Sequence, residues 1–113
     1  NQKPFWVIDK VKTQAQIHPF KPLICYGLAF KPDIDDLRES PSLIVYEELC
    51  RLFGERVQAI EPNIEKNEEK RINLLSMEEA FSTDAIHILL VEHKEFLDIK
   101  MTNKLVMDYK GIW

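Results

Sequence analysis

The stretch Leu23-Ile24-Cys25-Tyr26-Gly27-Leu28-Ala29 is apolar at almost every position. It is too short for a buried helix, and Pro19 and Pro22 stand just before it, so it reads as a strand. A strand without polar alternation has no face to offer to water. Such strands belong to parallel sheets covered by helices on both faces.

The rest of the chain supplies the covers. Residues 1–16 have helical spacing of Phe5, Val7, Ile8, Val11 and Ala15, with Pro4 suited to a first turn. Ser40-Pro41 is an N-cap followed by a first-turn proline, and Leu43, Ile44, Leu49, Leu52 and Phe53 form the stripe of the helix it opens. Gly54 is expected to end that helix as a left-handed cap. Residues 56–61, 85–91 and 104–107 read as further strands. Residues 77–81 and 94–97 read as short helices, and residues 64–71 as a solvated turn or short helix. Strands alternating with helices predict an α/β fold: a Rossmann-like three-layer sandwich with a mostly parallel sheet.

Charge narrows the function. Lys+Arg total 15 against 19 Asp+Glu, for a formal net charge of −4. That balance disfavours a nucleic-acid binder with a broad basic surface. No apolar run approaches the length of a membrane span. Cys25 and Cys50 are too few for a disulfide framework, and no signal peptide is evident, so reduced thiols in a cytoplasmic protein are expected. Without a starting Met, the chain is expected to be a piece of something longer.

In an open parallel sheet, ligands bind beyond the carboxyl ends of the strands. Phe30-Lys31 follow the first strand, Glu92-His93 the third, and Asp108-Tyr109-Lys110 the fourth. Two lysines and a histidine are thus expected on one rim, where ammonium groups suit a phosphate and Phe30 offers a wall to a base. Ordinary exposed loop residues are the alternative. Gly27 stands alone, without a glycine-rich phosphate loop, so a nucleotide would be held mainly by side chains. Asp33, Asp35, Asp36, Arg38 and Glu39 read as a salt-bridged loop, with Arg38 as a hub able to hold two carboxylates. His18, His87 and His93 lack partners at metal-ligand spacing, and His87 reads as a core or edge residue.

The segment Gly27-Leu28-Ala29-Phe30-Lys31-Pro32-Asp33-Ile34-Asp35-Asp36-Leu37-Arg38-Glu39-Ser40-Pro41 closely resembles the signature that opens the C-terminal, UDP-binding domain of the UDP-glucose/GDP-mannose dehydrogenase family. Glu61-Pro62-Asn63-Ile64, the stretch from Asp84-Ala85 to His93-Lys94-Glu95-Phe96, and Val106-Met107-Asp108-Tyr109-Lys110-Gly111-Ile112-Trp113 resemble later family segments, in order. The Lys-Pro and Ile-Asp-Asp-Leu variant looks most like the members acting on UDP-N-acetyl-D-mannosamine.

The resemblance implies an NAD-dependent enzyme that oxidises C6 of a UDP-sugar to the uronate for polysaccharide precursors. NAD would be bound mainly by an N-terminal domain, and a catalytic cysteine would lie upstream. Cys25 and Cys50 do not match that cysteine, so no catalytic residue and no metal are expected here. Residues 1–20 would be the trailing end of a linking or central helix, and residues 21–113 the UDP-binding domain. Phe30, Lys31 and Lys110 would lie at the UDP-sugar site, while Asp36, Arg38 and Glu39 would structure the loop. Lys110 stands where arginine is frequent, which loses a bidentate fork. No role is implied for His93. The expected partners are a UDP-sugar, the remaining domains of the same chain and a second copy in a homodimer, with neither nucleic acid nor membrane. The same domain of a UDP-N-acetylglucosamine, UDP-glucose or GDP-mannose enzyme stays open, as does a stand-alone regulatory module. A phospho-receiver is disfavoured, because Phe30-Lys31 stand where it needs an acidic pair.

Overall fold

The computed structural model describes residues 3–64 and 71–113. The expected turn or short helix over residues 64–71 lies mostly outside the described residues. The order is α1 (Lys3–Ile17), β1 (Leu23–Tyr26), α2 (Pro41–Phe53), β2 (Val57–Ile60), α3 (Met77–Ser82), β3 (Ile86–Leu89) and β4 (Leu105–Asp108). Short 3-10 turns occupy Gly54–Arg56 and Lys94–Phe96. The four strands form one sheet in the order β2-β1-β3-β4, and every pairing is parallel.

The alternating side chains of the strands build two cores. Leu23, Cys25, Val57, Ala59, Ile86 and Ile88 face α1 and α2, meeting Val7, Val11, Ala15, Val45 and Leu49. Ile24, Tyr26, Ile60 and Leu89 face the other way, meeting Ala80 of α3, Phe96 and Met101. This is the expected α/β sandwich, with helices on both faces of the sheet. β1 and β3 are buried along their whole length, as their unbroken apolar runs require. No described helix is long and apolar enough to cross a membrane.

The first strand is shorter than its apolar run. Gly27 has φ +95 and turns the chain, so β1 stops at Tyr26 while Leu28 and Ala29 stay buried beneath the loop that follows. Ser40 caps α2 as expected. Its Oγ accepts from Leu43 N–H at 3.3 Å and donates to Leu28 O at 2.7 Å, tying the helix start to the segment just after β1. Gly54 does end α2, but at φ 62 and ψ −135, outside the left-handed helical region, because the chain enters a 3-10 turn at once.

The guanidinium hub is not Arg38. Arg38 grips one carboxylate, Asp36, through Nε at 3.0 Å and Nη2 at 3.1 Å, on an exposed surface. Arg56 is the true hub. It donates to the carbonyls of Ala15, His18 and Lys21 and ties the end of α1 to the entry of β1. The C-terminal carbonyls of α1 lack helical partners and concentrate negative potential, which is where a buried-edge arginine is most useful.

Candidate functional site

The carboxyl ends of the strands open onto a cleft of about 230 Å³. Phe30 and Lys31 reach it from the loop after β1, Glu92 from the segment after β3, and Tyr109 and Lys110 from the turn after β4. Lys3 joins from α1, and Val45, Leu90 and Val91 supply an apolar floor. Three lysines against one glutamate favour an anion, and the half-exposed Phe30 ring offers a flat surface beside it. Phe30, Lys31 and Lys110 therefore share one cavity.

His93 does not join them. Its ring is fully buried and turned inward, where Nε2 meets Glu61 Oε1 at 2.9 Å. The expected rim of two lysines and a histidine thus keeps its lysines and loses the histidine, which lies behind it. An imidazole following a strand can turn toward either the cleft or the core, and Glu61 at the end of β2 draws this one inward.

The loop carrying Phe30-Lys31 is closed by Phe30 N–H donating to Asp36 O at 2.8 Å. The Asp36 carboxylate accepts from Arg38 N–H at 2.9 Å and from its guanidinium, which holds the Asp36 carboxyl below its usual range. Glu39 takes a positive φ of 55 at the turn into Ser40. Among the described residues, the salt bridge of this loop is the Asp36–Arg38 pair. The opposite wall is built by Asp108. Its carboxylate accepts from Lys110 N–H at 2.8 Å, Gly111 N–H at 2.7 Å and Trp113 N–H at 2.8 Å. Partial burial pushes the Asp108 carboxyl up, but these backbone donors outweigh it and hold it low. Asp108 is thus the charge that folds the turn presenting Lys110.

Residues 24–113 match the UDP binding domain of the UDP-glucose/GDP-mannose dehydrogenase family. The chain belongs to that family. It is 37% identical to the UDP-N-acetyl-D-mannosamine dehydrogenase of Escherichia coli K12 over 128 aligned residues, covering 100% of this chain and 30% of the relative. It is 34% identical to the NDP-N-acetyl-D-galactosaminuronic acid dehydrogenase of Ralstonia nicotianae, covering 98% of this chain and 27% of the relative. The solved UDP-N-acetyl-mannosamine dehydrogenase Cap5O of Staphylococcus aureus superposes with a TM-score of 0.82 at 28% identity, over 99% of this chain and 27% of that one. The chain spans about 30% of the length of the curated relatives it matches.

A dinucleotide in a family of dehydrogenases raises the question of whether this sheet could hold NAD. In a doubly wound sheet the pyrophosphate rests on free amides at the turn after the first strand. Here the amides of Leu28 and Ala29 donate to Glu61 Oε1 at 2.8 and 3.0 Å. An internal carboxylate already fills the place of a phosphate oxygen. These residues do not fit an NAD pyrophosphate at that turn.

Glu61 is the residue that sequence reasoning passed over. Its segment resembles the family's, but spacing alone pairs its charge with no partner. The signal was available, since a carboxylate directly after a buried strand needs donors. Burial pushes the Glu61 carboxyl up, yet hydrogen bonds from His93 and from the backbone of Leu28 and Asn63 outweigh burial and hold it below its ordinary value of 4.5. The ionised form therefore favours folding above that value, and its contribution is lost as pH falls through the lowered pKa. In an acid titration of unfolding free energy, wild type should lose stability in this window. Glu61→Gln should be less stable at pH 7 and flatter on the acid side. Parallel acid curves for the two proteins would show that Glu61 is not the source.

Burial pushes both thiols up, that of Cys25 most strongly, so each stays protonated near neutrality. His87 is a core histidine, its Nδ1 at 2.8 Å from Tyr26 Oη on the second face of the sheet. Among the described residues no group of three His, Cys, Asp or Glu side chains is placed to hold a metal ion.

Proposed function

We propose that this domain grips the uridine diphosphate of a UDP-sugar within a cytoplasmic, NAD-dependent UDP-N-acetyl-D-mannosamine 6-dehydrogenase. The observation that carries the reading is that Phe30, Lys31 and Lys110, from the loops after two different strands, line one cleft with an apolar floor. Lys31 and Lys110 neutralise pyrophosphate oxygens, and Phe30 packs against the nucleotide. The cleft volume of about 230 Å³ lies just under the range of complete small-molecule sites, as a half-site would. The other wall, the bound NAD and the reacting cysteine belong to parts of the parent protein outside residues 1–113. On this reading α1 is the end of a linking helix docked on the domain, and the parent protein is a homodimer.

The domain's contribution to catalysis is binding energy. Holding the remote diphosphate fixes the sugar and delivers C6 to the reacting groups, which converts affinity into orientation. NAD, when bound, supplies the hydride acceptor for each of the two oxidations.

The name of the Escherichia coli relative supports N-acetylmannosamine as the sugar. The Ralstonia relative favours a second reading, another N-acetylhexosamine. The full-length protein with NAD⁺ and a panel of UDP-N-acetylmannosamine, UDP-N-acetylglucosamine, UDP-N-acetylgalactosamine, UDP-glucose and GDP-mannose decides. NADH formation should be fastest with UDP-N-acetylmannosamine. A faster rate with another N-acetylhexosamine would move the assignment there. No NADH with any nucleotide sugar would overturn the enzyme reading.

A further inference from the structure

Behind the cleft, both ends of the Phe30-Lys31 loop converge on one buried pair. At its start, the amides of Leu28 and Ala29 donate to Glu61 Oε1. At its end, Asp33 N–H donates to His93 Nδ1 at 2.7 Å. His93 Nε2 lies 2.9 Å from the same Glu61 oxygen, and both side chains are wholly removed from solvent. The Asp33 carboxylate accepts from Lys94 N–H at 2.8 Å, which braces the far side.

The hydrogen-bond roles assign the protons. A backbone amide can only donate, so Nδ1 carries a lone pair. Asn63 Nδ2, a donor as well, lies 3.4 Å from the same Nδ1. The ring proton therefore sits on Nε2 and points at Glu61. Glu61 accepts at Oε1 from Leu28, Ala29 and His93, and at Oε2 from Asn63 N–H at 3.1 Å and Nδ2 at 3.2 Å. With donors on both oxygens, it stands as a carboxylate. A buried charge so fully bonded is stable, whereas losing one donor leaves it short.

We propose that Glu61 and His93 are positioning residues for the nucleotide: a carboxylate and a neutral Nε2–H imidazole that set the Phe30-Lys31 loop from behind. This presupposes that the cleft holds UDP, as proposed above. Neither residue touches the ligand, so their effect on affinity passes through Asp33 and the loop.

The two ring nitrogens can be separated in the full-length protein. His93→Asn can place Oδ1 near the Nδ1 position, keeping an acceptor for Asp33. His93→Gln can reach Glu61 with its amide but gives up that acceptor. His93→Gln should speed hydrogen exchange at the Asp33 amide and weaken UDP binding by about tenfold, the effect of one ordinary hydrogen bond. His93→Asn should restore Asp33 protection and most of the affinity. Nitrogen-15 NMR of wild-type His93 should show the Nε2–H tautomer, with and without UDP. An Nδ1–H or doubly protonated ring would overturn the proposal. So would His93→Gln leaving Asp33 exchange and UDP affinity unchanged while Lys31→Ala weakens UDP. If Lys31→Ala instead leaves UDP binding intact, the cleft reading fails, while the tautomer and Asp33 exchange still report on the pair. Should both His93 variants fail to fold, the wild-type protein decides: UDP should slow hydrogen exchange at the Asp33 amide, and exchange unchanged by saturating UDP would overturn the proposal.

Discussion

Lys31→Ala in the full-length protein should weaken UDP binding by about 10- to 100-fold in a calorimetric titration. The estimate follows from roughly 1.5–3 kcal/mol for a hydrogen bond to a charged group. Lys31 is exposed on the rim of the cleft, so the loss should shrink as salt is added and charges are screened. Lys31→Arg keeps the charge and should recover part of the affinity, since an ammonium acts on phosphate mainly as a point charge. Melting temperature should hardly move, because Lys31 is exposed at the cleft and belongs to neither core. Equal affinities for wild type and Lys31→Ala would remove Lys31 from the site.

Gly27→Ala should damage the fold itself. A Cβ on Gly27 would lie 2.6 Å from Val91 Cβ and 3.1 Å from Val91 N. Its φ of +95 adds backbone strain for any L side chain. Strain and overpacking, at about 1–3 kcal/mol each, together threaten much of the stability of a small domain. Gly54→Ala separates the two effects. That position also has a positive φ, 62, but nothing lies within 4 Å of a Cβ there. It should pay the strain alone, about 1–3 kcal/mol. Chemical denaturation of the two variants should rank Gly27→Ala well below Gly54→Ala. Equal losses would show that the contact with Val91 relaxes freely.

The fold was legible because apolar runs and capping residues say directly what they need. The run at Leu23–Ala29 required cover on both faces, and Ser40-Pro41 announced a helix start. What the run reported was burial more than strand, which is why β1 ends three residues early: Gly27 turns the chain while Leu28 and Ala29 remain inside. The convergence of Phe30, Lys31 and Lys110 on one cleft followed from parallel topology, which sends every loop after a strand to the same rim. The inward turn of His93 did not follow. It depends on which loop residues face each other across the rim, and neither periodicity nor spacing carries that. For the same reason the hub fell on Arg38, surrounded by acids in sequence, when Arg56 faces carbonyls brought from α1 by the fold.

The strand order has a consequence during synthesis. β1 finds its central neighbour only in β3, and β3 is not complete until Leu89 has been made. A ribosome adds roughly 5–20 residues per second, so the apolar β1 segment waits on the order of seconds before both its edges are paired. No hairpin can shelter it meanwhile, since every strand pairing in this sheet spans a crossover. The nascent chain is thus most prone to self-association midway through synthesis of this domain, when the fully buried β1 segment has emerged and its β3 partner has not.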